Sequence, residues 1–383
     1  MTNSLREAMR LDAGVAYFDN AAVAPLTAAA HQAILRWTND IAGSGDARWP
    51  QWRTEVEKTR RVAASLINAD REEVALTHST TEGINFVAEG FPWLPGDNVV
   101  IPVGEFPSNL YPWMMLESKG VELRKVVMPE NSVDIERLGN ACDSRTRIVS
   151  CSWVGFSHGY RVDLNRLTEL THQSGALLMV DAIQGLGMFP LDVKKTPIDF
   201  LSADGHKWLL GPEGAGIFYL KRDHLDLLRP INVGWNSVAT AGEFGHECMD
   251  LRKTAGRYEA GTYNMVGLAG FGAILQVFQD IGVEKISQQL KEVTDEVVSS
   301  LQSIGAVIHS NREDNHWSGI ISFDLPGKDP LTVKQAASEK NVYFNTRNDH
   351  FRVSPHVYNT SEDIQKLIEV LSEQTKSGER DQL

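Results

Sequence analysis

The chain has few cysteines and no cysteine pattern that would organise a site. Its 383 residues include three, Cys142, Cys151 and Cys248, and no CxxC pair occurs. An odd and sparse set of this kind argues against a disulfide framework and against a cysteine-based zinc site. Cys151 lies in an apolar run, where a core position is expected rather than a nucleophile.

Positive charge and long apolar runs are also scarce. Lys plus Arg number 37 and Asp plus Glu number 50, so the formal net charge is −13. This balance argues against a general surface for nucleic acid or for an anionic membrane. No stretch is long enough to span a membrane, and the first residues lack the apolar centre of a signal peptide. We therefore expect a cytoplasmic protein without nucleic-acid or membrane partners.

The chain does contain an alternation of strand-like and helix-like segments between about residue 60 and residue 220. Strands are predicted at residues 74–77, 98–102, 123–127, 147–153, 177–180, 200–202 and 216–220. Helices are predicted at residues 81–90, 109–119 and 164–174. This order predicts an α/β fold with a mostly parallel sheet and helices on both faces. Ligands in such sheets gather at the carboxyl ends of the strands.

The pattern changes after about residue 262. Long helices are predicted at residues 265–281 and 284–303, followed by short strands at 306–309, 319–325, 342–344 and 351–354 and a final helix from Ser361. We interpret this third of the chain as a smaller α+β domain. The predicted division is a large domain of residues 15–262 and a small domain of residues 263–383 together with residues 1–14.

Lys207 is the residue that the sequence favours as the centre of a site. It follows a predicted strand and stands in a Gly-flanked His-Lys pair, and a second predicted strand ends upstream in Asp181. A lysine amine can hold pyridoxal phosphate (PLP) as a Schiff base. An aspartate can keep the ring nitrogen of PLP protonated, which makes the ring an electron sink. Taken alone, a lysine before a Gly-rich turn would more often be a surface residue.

Further segments carry groups that suit the same ligand. Thr80 and Thr81 open a helix after a strand, where free N–H groups and hydroxyls can bind phosphate; the alternative is an ordinary helix cap. Phe106 follows another strand, and its ring could stack on a pyridine. Gln184 could reach the phenolic oxygen of that pyridine, and His206 could donate to the phosphate.

Two arginines near the C-terminal end, Arg347 and Arg352, are candidates for binding a substrate carboxylate. A guanidinium binds a carboxylate through two parallel hydrogen bonds, so an arginine beside PLP would select an amino acid. A surface salt bridge is the alternative for either residue alone.

The order of these pieces resembles the class V aminotransferase family of fold-type I PLP-dependent enzymes. By motif the chain is similar to the cysteine desulfurase/selenocysteine lyase branch and to the isopenicillin N epimerase-like branch. The resemblance extends from residue 17 to residue 360. Its strongest motifs are Thr80-Thr81-Glu82, Val180-Asp181-Ala182-Ile183-Gln184, Gly205-His206-Lys207 and Glu259-Ala260-Gly261-Thr262. It implies a large domain with a mostly parallel seven-stranded sheet and a smaller C-terminal α+β domain.

The resemblance also implies a role for each candidate residue. Lys207 would carry the cofactor, Asp181 would pair with its pyridinium nitrogen, and Gln184 would meet its ring oxygen. Phe106 would take the ring-stacking position. The residues implied for the cofactor phosphate are Thr80, Thr81 and His206, with Thr262 reaching the phosphate of the other subunit of a homodimer. Those implied for the substrate carboxylate are Arg352 and, near it, Arg347.

Three features depart from the desulfurase branch. Desulfurases carry a cysteine on a mobile loop shortly before the carboxylate-binding arginine, whereas here residues 345–352 contain no cysteine, and the loop is predicted to be deleted. Phe106 replaces the histidine that aids desulfuration. Asp204 stands where many relatives place a phosphate-binding serine. Its carboxylate either turns away from the phosphate or leaves the serine's role to Ser202.

Three functions are compatible with these observations. The first is a PLP-dependent enzyme that acts on a small α-amino acid through an aldimine at Lys207, by transamination, racemisation or elimination. The second is a cysteine desulfurase or selenocysteine lyase without its usual thiol, which ranks lower because persulfide transfer needs a nucleophilic sulfur. The third is a non-catalytic binding or regulatory protein, and the joint presence of Lys207, Asp181 and Arg352 argues against it.

Overall fold

The computed structural model describes residues 3–245 and 247–373. The residues at either end of the chain, including part of the predicted small domain at 374–383, lie outside this description. The helices are α1 Asn3–Ala8, α2 Ala28–Ser44, α3 Trp49–Leu66, α4 Thr80–Gly90, α5 Tyr111–Met114, α6 Ile135–Asn140, α7 Leu164–Gln173, α8 Met265–Ile281, α9 Val283–Ser303, α10 Pro330–Ser338 and α11 Ser361–Ser372. The strands are β1 Ala16–Tyr17, β2 Val74–Thr77, β3 Asn98–Pro102, β4 Glu122–Val126, β5 Thr146–Ser152, β6 Leu177–Asp181, β7 Phe200–Asp204, β8 Gly216–Leu220, β9 Val307–Ile308, β10 Ile321–Asp324, β11 Val342–Tyr343, β12 Asn345–Arg347 and β13 His350–Val353.

A central sheet of seven strands confirms the predicted α/β fold. Its strand order is β2-β8-β7-β6-β5-β3-β4. The neighbours from β7 to β4 pair in parallel, and only β8 runs antiparallel to its two neighbours. Because β5, β6 and β7 run in one direction, their carboxyl ends meet at a single edge of the sheet.

Both faces of this sheet are buried, which explains the continuous apolar runs in the sequence. Along β6, Leu178 and Val180 belong to one core cluster, whereas Met179 between them belongs to the other. Successive side chains of a strand point to opposite faces, so both faces must be covered. Helices α3, α7 and α8 contribute to the first cluster, and α4 contributes to the second.

A second, smaller sheet stands in the C-terminal part of the chain. It is antiparallel, with the strand order β12-β13-β10-β9. One of its faces packs on α9, α10 and α11 through a third core cluster that includes Phe323 and Phe351. The N-terminal strand β1 pairs in parallel with β11 and so joins the start of the chain to this region. The division of the chain at residue 262 stays a prediction; α8, just beyond it, packs against α2 and α3.

Some predicted elements differ from those observed. The helix expected at residues 109–119 is broken into the short α5 and two 3₁₀ turns, Pro107–Asn109 and Met115–Lys119. Pro112 has no N–H and is tolerated only in the first helical turn, so a helix starting at residue 109 could not continue through it. In the small sheet, β9 and β10 are shorter than predicted, β13 is shifted by one residue, and β12 was not predicted. The final helix begins at Ser361 as expected, capped by Thr360.

Within the two described ranges, no single helix is long and apolar enough to cross a bilayer. Helices α8 and α9 reach the required length and composition only as a pair, and their axes meet at 85°.

Candidate active site

A cavity of about 290 Å³ lies at the carboxyl edge of the central sheet. Nine of the ten predicted site residues line it: Thr80, Thr81, Phe106, Asp181, Gln184, His206, Lys207, Arg347 and Arg352. They come from segments that are far apart in the chain, and the strand order brings them together. The size of the cavity suits a small ligand.

The N-terminus of α4 forms one end of the cavity. Ser79 caps this 11-residue helix, and its hydroxyl accepts a hydrogen bond from the Glu82 N–H at 3.1 Å. The N–H groups of the first turn have no partner within a helix and carry the positive end of its dipole. Thr81 Oγ1 donates to Ser108 Oγ at 2.8 Å, which orients the threonine at this end. The arrangement is suited to a phosphate group.

Ser202 and Asp204 differ in their position relative to the cavity. Ser202 Oγ donates to the carbonyl of Thr80 at 2.9 Å and lies beneath α4, where only glycine fits at position 83. The Ser202 hydroxyl is therefore used in packing α4 on β7, and Ser202 does not line the cavity. Asp204 does line it, with its carboxylate accepting the Gly205 N–H at 2.7 Å.

His206 lies next to this carboxylate without hydrogen bonding to it. Its Nδ1 is 3.2 Å from Asp204 Oδ2, but the alignment is too poor for a hydrogen bond, and Nδ1 is a buried atom without a partner. A buried polar atom that lacks a partner loses free energy relative to its hydrated state. A ligand group that accepts a hydrogen bond here would remove that cost.

Lys207 follows β7 and is 8% exposed. In the described structure its amine has no hydrogen-bond partner, and its Nζ lies 5.6 Å from the centre of the Phe106 ring. Burial lowers the pKa of Lys207 from 10.5 to about 8, although the nearby carboxylate of Asp181 acts in the opposite direction. An amine with this pKa is partly neutral near physiological pH, which is the state needed for a nucleophile or a base.

Asp181 ends β6 and is almost completely buried. Burial raises its pKa from 3.8 to about 6, while the Ile183 N–H, which donates to it at 3.1 Å, and the charge of Lys207 lower the pKa. A buried carboxylate with a single N–H donor is incompletely satisfied. A protonated ring nitrogen is a suitable partner, so the residues present fit the pyridinium end of PLP.

Glu105 is a half-buried carboxyl group that the sequence analysis did not single out. It accepts a hydrogen bond from the Ser152 N–H at 2.7 Å and contacts the Ser152 hydroxyl. Burial raises its pKa from 4.5 to about 7, and the charge of Asp181 adds to that effect. The available signal was its position, directly after the positive-φ Gly104 in a loop after β3.

Gln184 and Phe106 both line the cavity, and each also contacts other residues of the protein. Gln184 Nε2 donates to the Ala21 carbonyl at 2.9 Å, and its Oε1 accepts from Trp208 Nε1 at 2.7 Å. One N–H of the amide remains for a ligand. Phe106 is 40% exposed and packs edge-on against Phe156, with ring centres 5.2 Å apart.

The two arginines line the opposite wall of the cavity, on the small sheet. Arg352 is 1% exposed, and its guanidinium donates to Asp19 at 3.0 Å and to the carbonyl of Phe156 at 2.8 Å. Its buried Nε has no partner. Arg347 donates to the carbonyl of Thr346 and has no ion pair within the part of the chain that the structure describes. The pairing of Arg352 with Asp19 was not predicted, because 333 residues separate the two.

The turn between β12 and β13 confirms the predicted absence of a cysteine loop. Asn348 and Asp349 form a two-residue hairpin turn, with φ values of 50° and 63°. Two consecutive residues in the left-handed region characterise the tightest hairpins, for which asparagine and aspartate are favoured. None of the three cysteines lines the cavity: Cys142 is half-buried, Cys151 is buried and Cys248 is exposed.

Thr262 is the one predicted residue that lies elsewhere. It lines a neighbouring depression together with His78, Gly214 and Glu259. The structure therefore does not bring Thr262 to the cavity of its own chain, and its predicted contact with a second subunit stays a prediction.

Comparison with known proteins gives the family. The aminotransferase class-V family model matches residues 16–367. A probable cysteine desulfurase from Methanothermobacter thermautotrophicus is 33% identical over 83% of each chain. A cysteine desulfurase from Escherichia coli is also 33% identical, over 82% of this chain and 81% of its own. The solved structure of a cysteine desulfurase from Thermococcus onnurineus superposes with a TM-score of 0.86, at 24% identity and over 96% of each chain. The chain therefore belongs to the class V aminotransferase family of PLP-dependent enzymes.

Proposed function

We propose that this protein binds PLP at Lys207 and catalyses a reaction at the α-carbon of a small α-amino acid. The observation that carries the proposal is the buried amine of Lys207, whose pKa is lowered to about 8 in the cavity that Asp181 also lines. Perturbed titrating groups that face each other in a cleft are typical of catalytic sites. When bound, PLP supplies an electron sink for the charge that develops on the α-carbon.

Residues on the large-sheet side would hold the cofactor. The first turn of α4 is proposed for its phosphate, with the unpartnered Nδ1 of His206 close by. Asp181 is proposed for the ring nitrogen and Gln184, through its remaining N–H, for the ring oxygen. The exposed ring of Phe106 is proposed to cover one face of the pyridine.

Lys207 is proposed to move a proton as well as to hold the cofactor. A neutral amine can accept the proton of the substrate α-carbon and return it at the same or a neighbouring atom. Burial lowers the pKa of Lys207 and so keeps a fraction of its amine neutral at physiological pH. The side of the α-carbon on which Lys207 acts would be set by the substrate carboxylate.

Arg352 and Arg347 are proposed to bind that carboxylate. Asp19 and the carbonyl of Phe156 hold Arg352 in place, so its remaining N–H groups are already oriented. Arg347 has no acidic partner among the described residues and adds a second positive charge. A preorganised guanidinium loses less conformational entropy on binding than a mobile one.

A second candidate is cleavage of a carbon–sulfur bond without a persulfide on the enzyme. The two curated relatives at 33% identity are named as cysteine desulfurases. In this chain no cysteine lines the cavity and a two-residue turn replaces the loop. Cysteine would then be converted with water to pyruvate, ammonia and hydrogen sulfide, and the sulfur would leave directly.

We also propose a homodimer in which Thr262 of one chain completes the phosphate site of the other. Its support is the position of Thr262 in a separate surface depression, away from Lys207 of its own chain. That this dimer works in the cytoplasm remains a prediction from composition. Sedimentation of the PLP-loaded protein, combined with PLP titration of Thr262→Ala, tests the shared site.

The proposed reaction is tested by a spectral screen of the PLP-loaded protein against α-amino acids and their decarboxylated analogues. The panel includes cysteine, cystine and alanine, and keto acid, ammonia and sulfide are assayed in the same samples. We expect the cofactor absorbance to change with amino acids but not with the analogues. Sulfide in equal amount to keto acid would select the second candidate. An unchanged spectrum with every amino acid would overturn the proposal.

A further inference from the structure

His309, Asp324 and His350 form a compact cluster on the small sheet that the proposed reaction does not use. Asp324 Oδ2 lies 2.8 Å from His309 Nε2, and Asp324 Oδ1 lies 2.7 Å from His350 Nδ1. One ligand-type atom from each residue lies within 4.8 Å of the other two. No other group of three such residues in the described ranges meets this condition.

Strand register explains why these residues meet. Phe323 pairs with Phe351, and both rings face the core, so the adjacent residues Asp324 and His350 face the other side of the sheet. His309 directly follows β9, whose Ile308 pairs with Phe323, and so faces the same side as Asp324. Three neighbouring strands therefore place the three side chains on one face.

The chemistry of the cluster suits a divalent transition metal. Two neutral imidazoles and one carboxylate together carry a single negative charge, and no Lys or Arg pairs with Asp324 in the described structure. Nitrogen and carboxylate ligands of zinc stand about 2.0–2.2 Å from the metal, with open positions left for water in three-ligand sites. The side chains are 22%, 41% and 33% exposed, so an ion can enter and the rings can adjust.

We propose that His309, Asp324 and His350 bind a divalent ion of the zinc class. A metal ion needs a neutral ring nitrogen from each histidine and an ionised carboxylate, so protons compete with it and binding weakens in acid. His350 pairs with Arg347 and lies two residues from Arg352 along β13, so the Cα atoms of His350 and Arg352 are about 7 Å apart. A bound ion would add fixed positive charge beside the wall proposed for the substrate carboxylate. The site itself does not depend on that proposal.

A second histidine–aspartate–histidine group provides a comparison within the same chain. Asp199 accepts hydrogen bonds from His172 and His224, each at 2.7 Å, and also from the Leu178 N–H. Its carboxylate is 2% exposed, and its lone pairs are used by three donors. This group has the same residue types but does not meet the distance condition. Its hydrogen bonds hold α7, β6 and the turn after β8 together.

The test is zinc titration of the tag-free, PLP-loaded protein after chelator treatment, measured by calorimetry. Cys248→Ser is used as the background so that the exposed thiol contributes nothing. We expect one zinc ion per chain and a cobalt visible spectrum of a nitrogen–oxygen site. Asp324→Asn and His350→Gln should each weaken binding at least about tenfold, since even removing a residue that only orients a metal ligand costs that much.

His172→Gln is the matched control, because His172 also bonds an aspartate and is 34% exposed. Its zinc affinity should equal that of the background protein. Stoichiometric zinc binding that survives both Asp324→Asn and His350→Gln would place the ion elsewhere and overturn the proposal. Absence of saturable binding by the background protein would overturn it as well.

Discussion

Asp181 and Lys207 on one wall of the cavity and Arg352 on the other are all buried charged groups, yet their partners differ. The amine of Lys207 has no hydrogen-bond partner in the described structure and Asp181 has one N–H donor, whereas Arg352 has the carboxylate of Asp19 and a carbonyl. Asp181 and Lys207 form what we call the large-sheet wall. Burial displaces their pKa values toward neutrality, that of Asp181 to about 6 and that of Lys207 to about 8.

The difference indicates what each wall is prepared to bind. On the large-sheet wall, burial disfavours the charged forms of Asp181 and Lys207, because neither has a charged partner close enough to offset it. Such a wall suits a covalently held cofactor with a basic ring nitrogen. On the small-sheet wall, formed by Arg347 and Arg352, the partner Asp19 stabilises the charge of Arg352, although burial lowers its pKa to about 10. That arginine stays positive at physiological pH and can bind a carboxylate.

Replacement of Lys207 should have the largest effect. Lys207→Ala removes both the attachment point and the proposed base, so turnover should fall by about 10²–10⁴-fold or more. PLP should still bind, without a covalent bond, through the end of the cavity at α4. Borohydride reduction followed by peptide mass spectrometry should find the label on Lys207 in the unaltered protein.

Lys221→Ala is a suitable control, because Lys221 follows the next strand, β8, but is part-exposed and outside the cavity. Its turnover should be unchanged. A pyridoxyl label on any lysine other than Lys207 would contradict the assignment of the large-sheet wall.

Glu105 should make the stability of the PLP-free protein depend on pH. Its pKa is raised to about 7 in the folded state, so the folded state binds more protons than the unfolded state between about pH 4.5 and pH 7. Stability is then fully present below that window and is lost as pH rises through it. Between pH 5 and pH 8 this group should account for a loss of about 2–3 kcal/mol in the free energy of unfolding.

Urea unfolding of the PLP-free protein and of Glu105→Gln at both pH values measures this loss. The variant should lose less stability than the parent by that amount. Equal losses in both proteins would show that Glu105 is not the proton-binding group. Lys207 acts in the opposite direction and only above about pH 8, so it does not obscure the comparison.

The small-sheet wall is tested by Arg352→Lys. Lysine keeps the charge but cannot form two parallel hydrogen bonds, so binding of α-amino acids should weaken by roughly 1.5–3 kcal/mol. PLP affinity and the binding of amines without a carboxylate should change little. Titration of the cofactor spectrum with an amino acid and its decarboxylated analogue measures both.

An equal loss for the two ligands would show that Arg352, together with Asp19, supports the fold instead. No loss for either ligand would indicate that Arg347 binds the substrate carboxylate instead. Arg347→Lys should then weaken amino-acid binding in the same titration.

The cysteines should have the smallest effect. Because none of Cys142, Cys151 and Cys248 lines the cavity, replacing them together by serine or alanine should leave turnover within about twofold of the parent in any variant that folds. Alanine is the better choice for the buried Cys151. A persulfide that forms on one cysteine and disappears on its mutation would contradict this and favour a desulfurase.

The site residues that could be predicted from the sequence are those marked by a motif in the neighbouring residues. Asp181 ends an apolar run, Thr80 and Thr81 follow a capping serine, and Lys207 stands between glycines after a strand. Each signal lies within a few residues of the functional group, since strand ends and helix starts have their own chemistry. Helix α3 was not predicted, because no side-chain cap marks its start and a 3₁₀ turn joins it to α2.

The contacts that the sequence did not reveal join distant segments. Glu105 meets Ser152 only because the loop after β3 folds over the end of β5, and Asp19 meets Arg352 only because β1 and β13 converge beside the cavity. The contact of Ser202 with α4 likewise depends on the close approach of that helix to β7.

The sequence by itself determined the strands, the helix caps and the chemical type of each candidate residue, because these depend on neighbours within one or two turns. Only the tertiary structure decided which charges are buried without partners, since burial and pairing depend on strand order and register. His309, Asp324 and His350 illustrate the point. They form no recognisable spacing in the chain, and the register of three strands places them within reach of one ion.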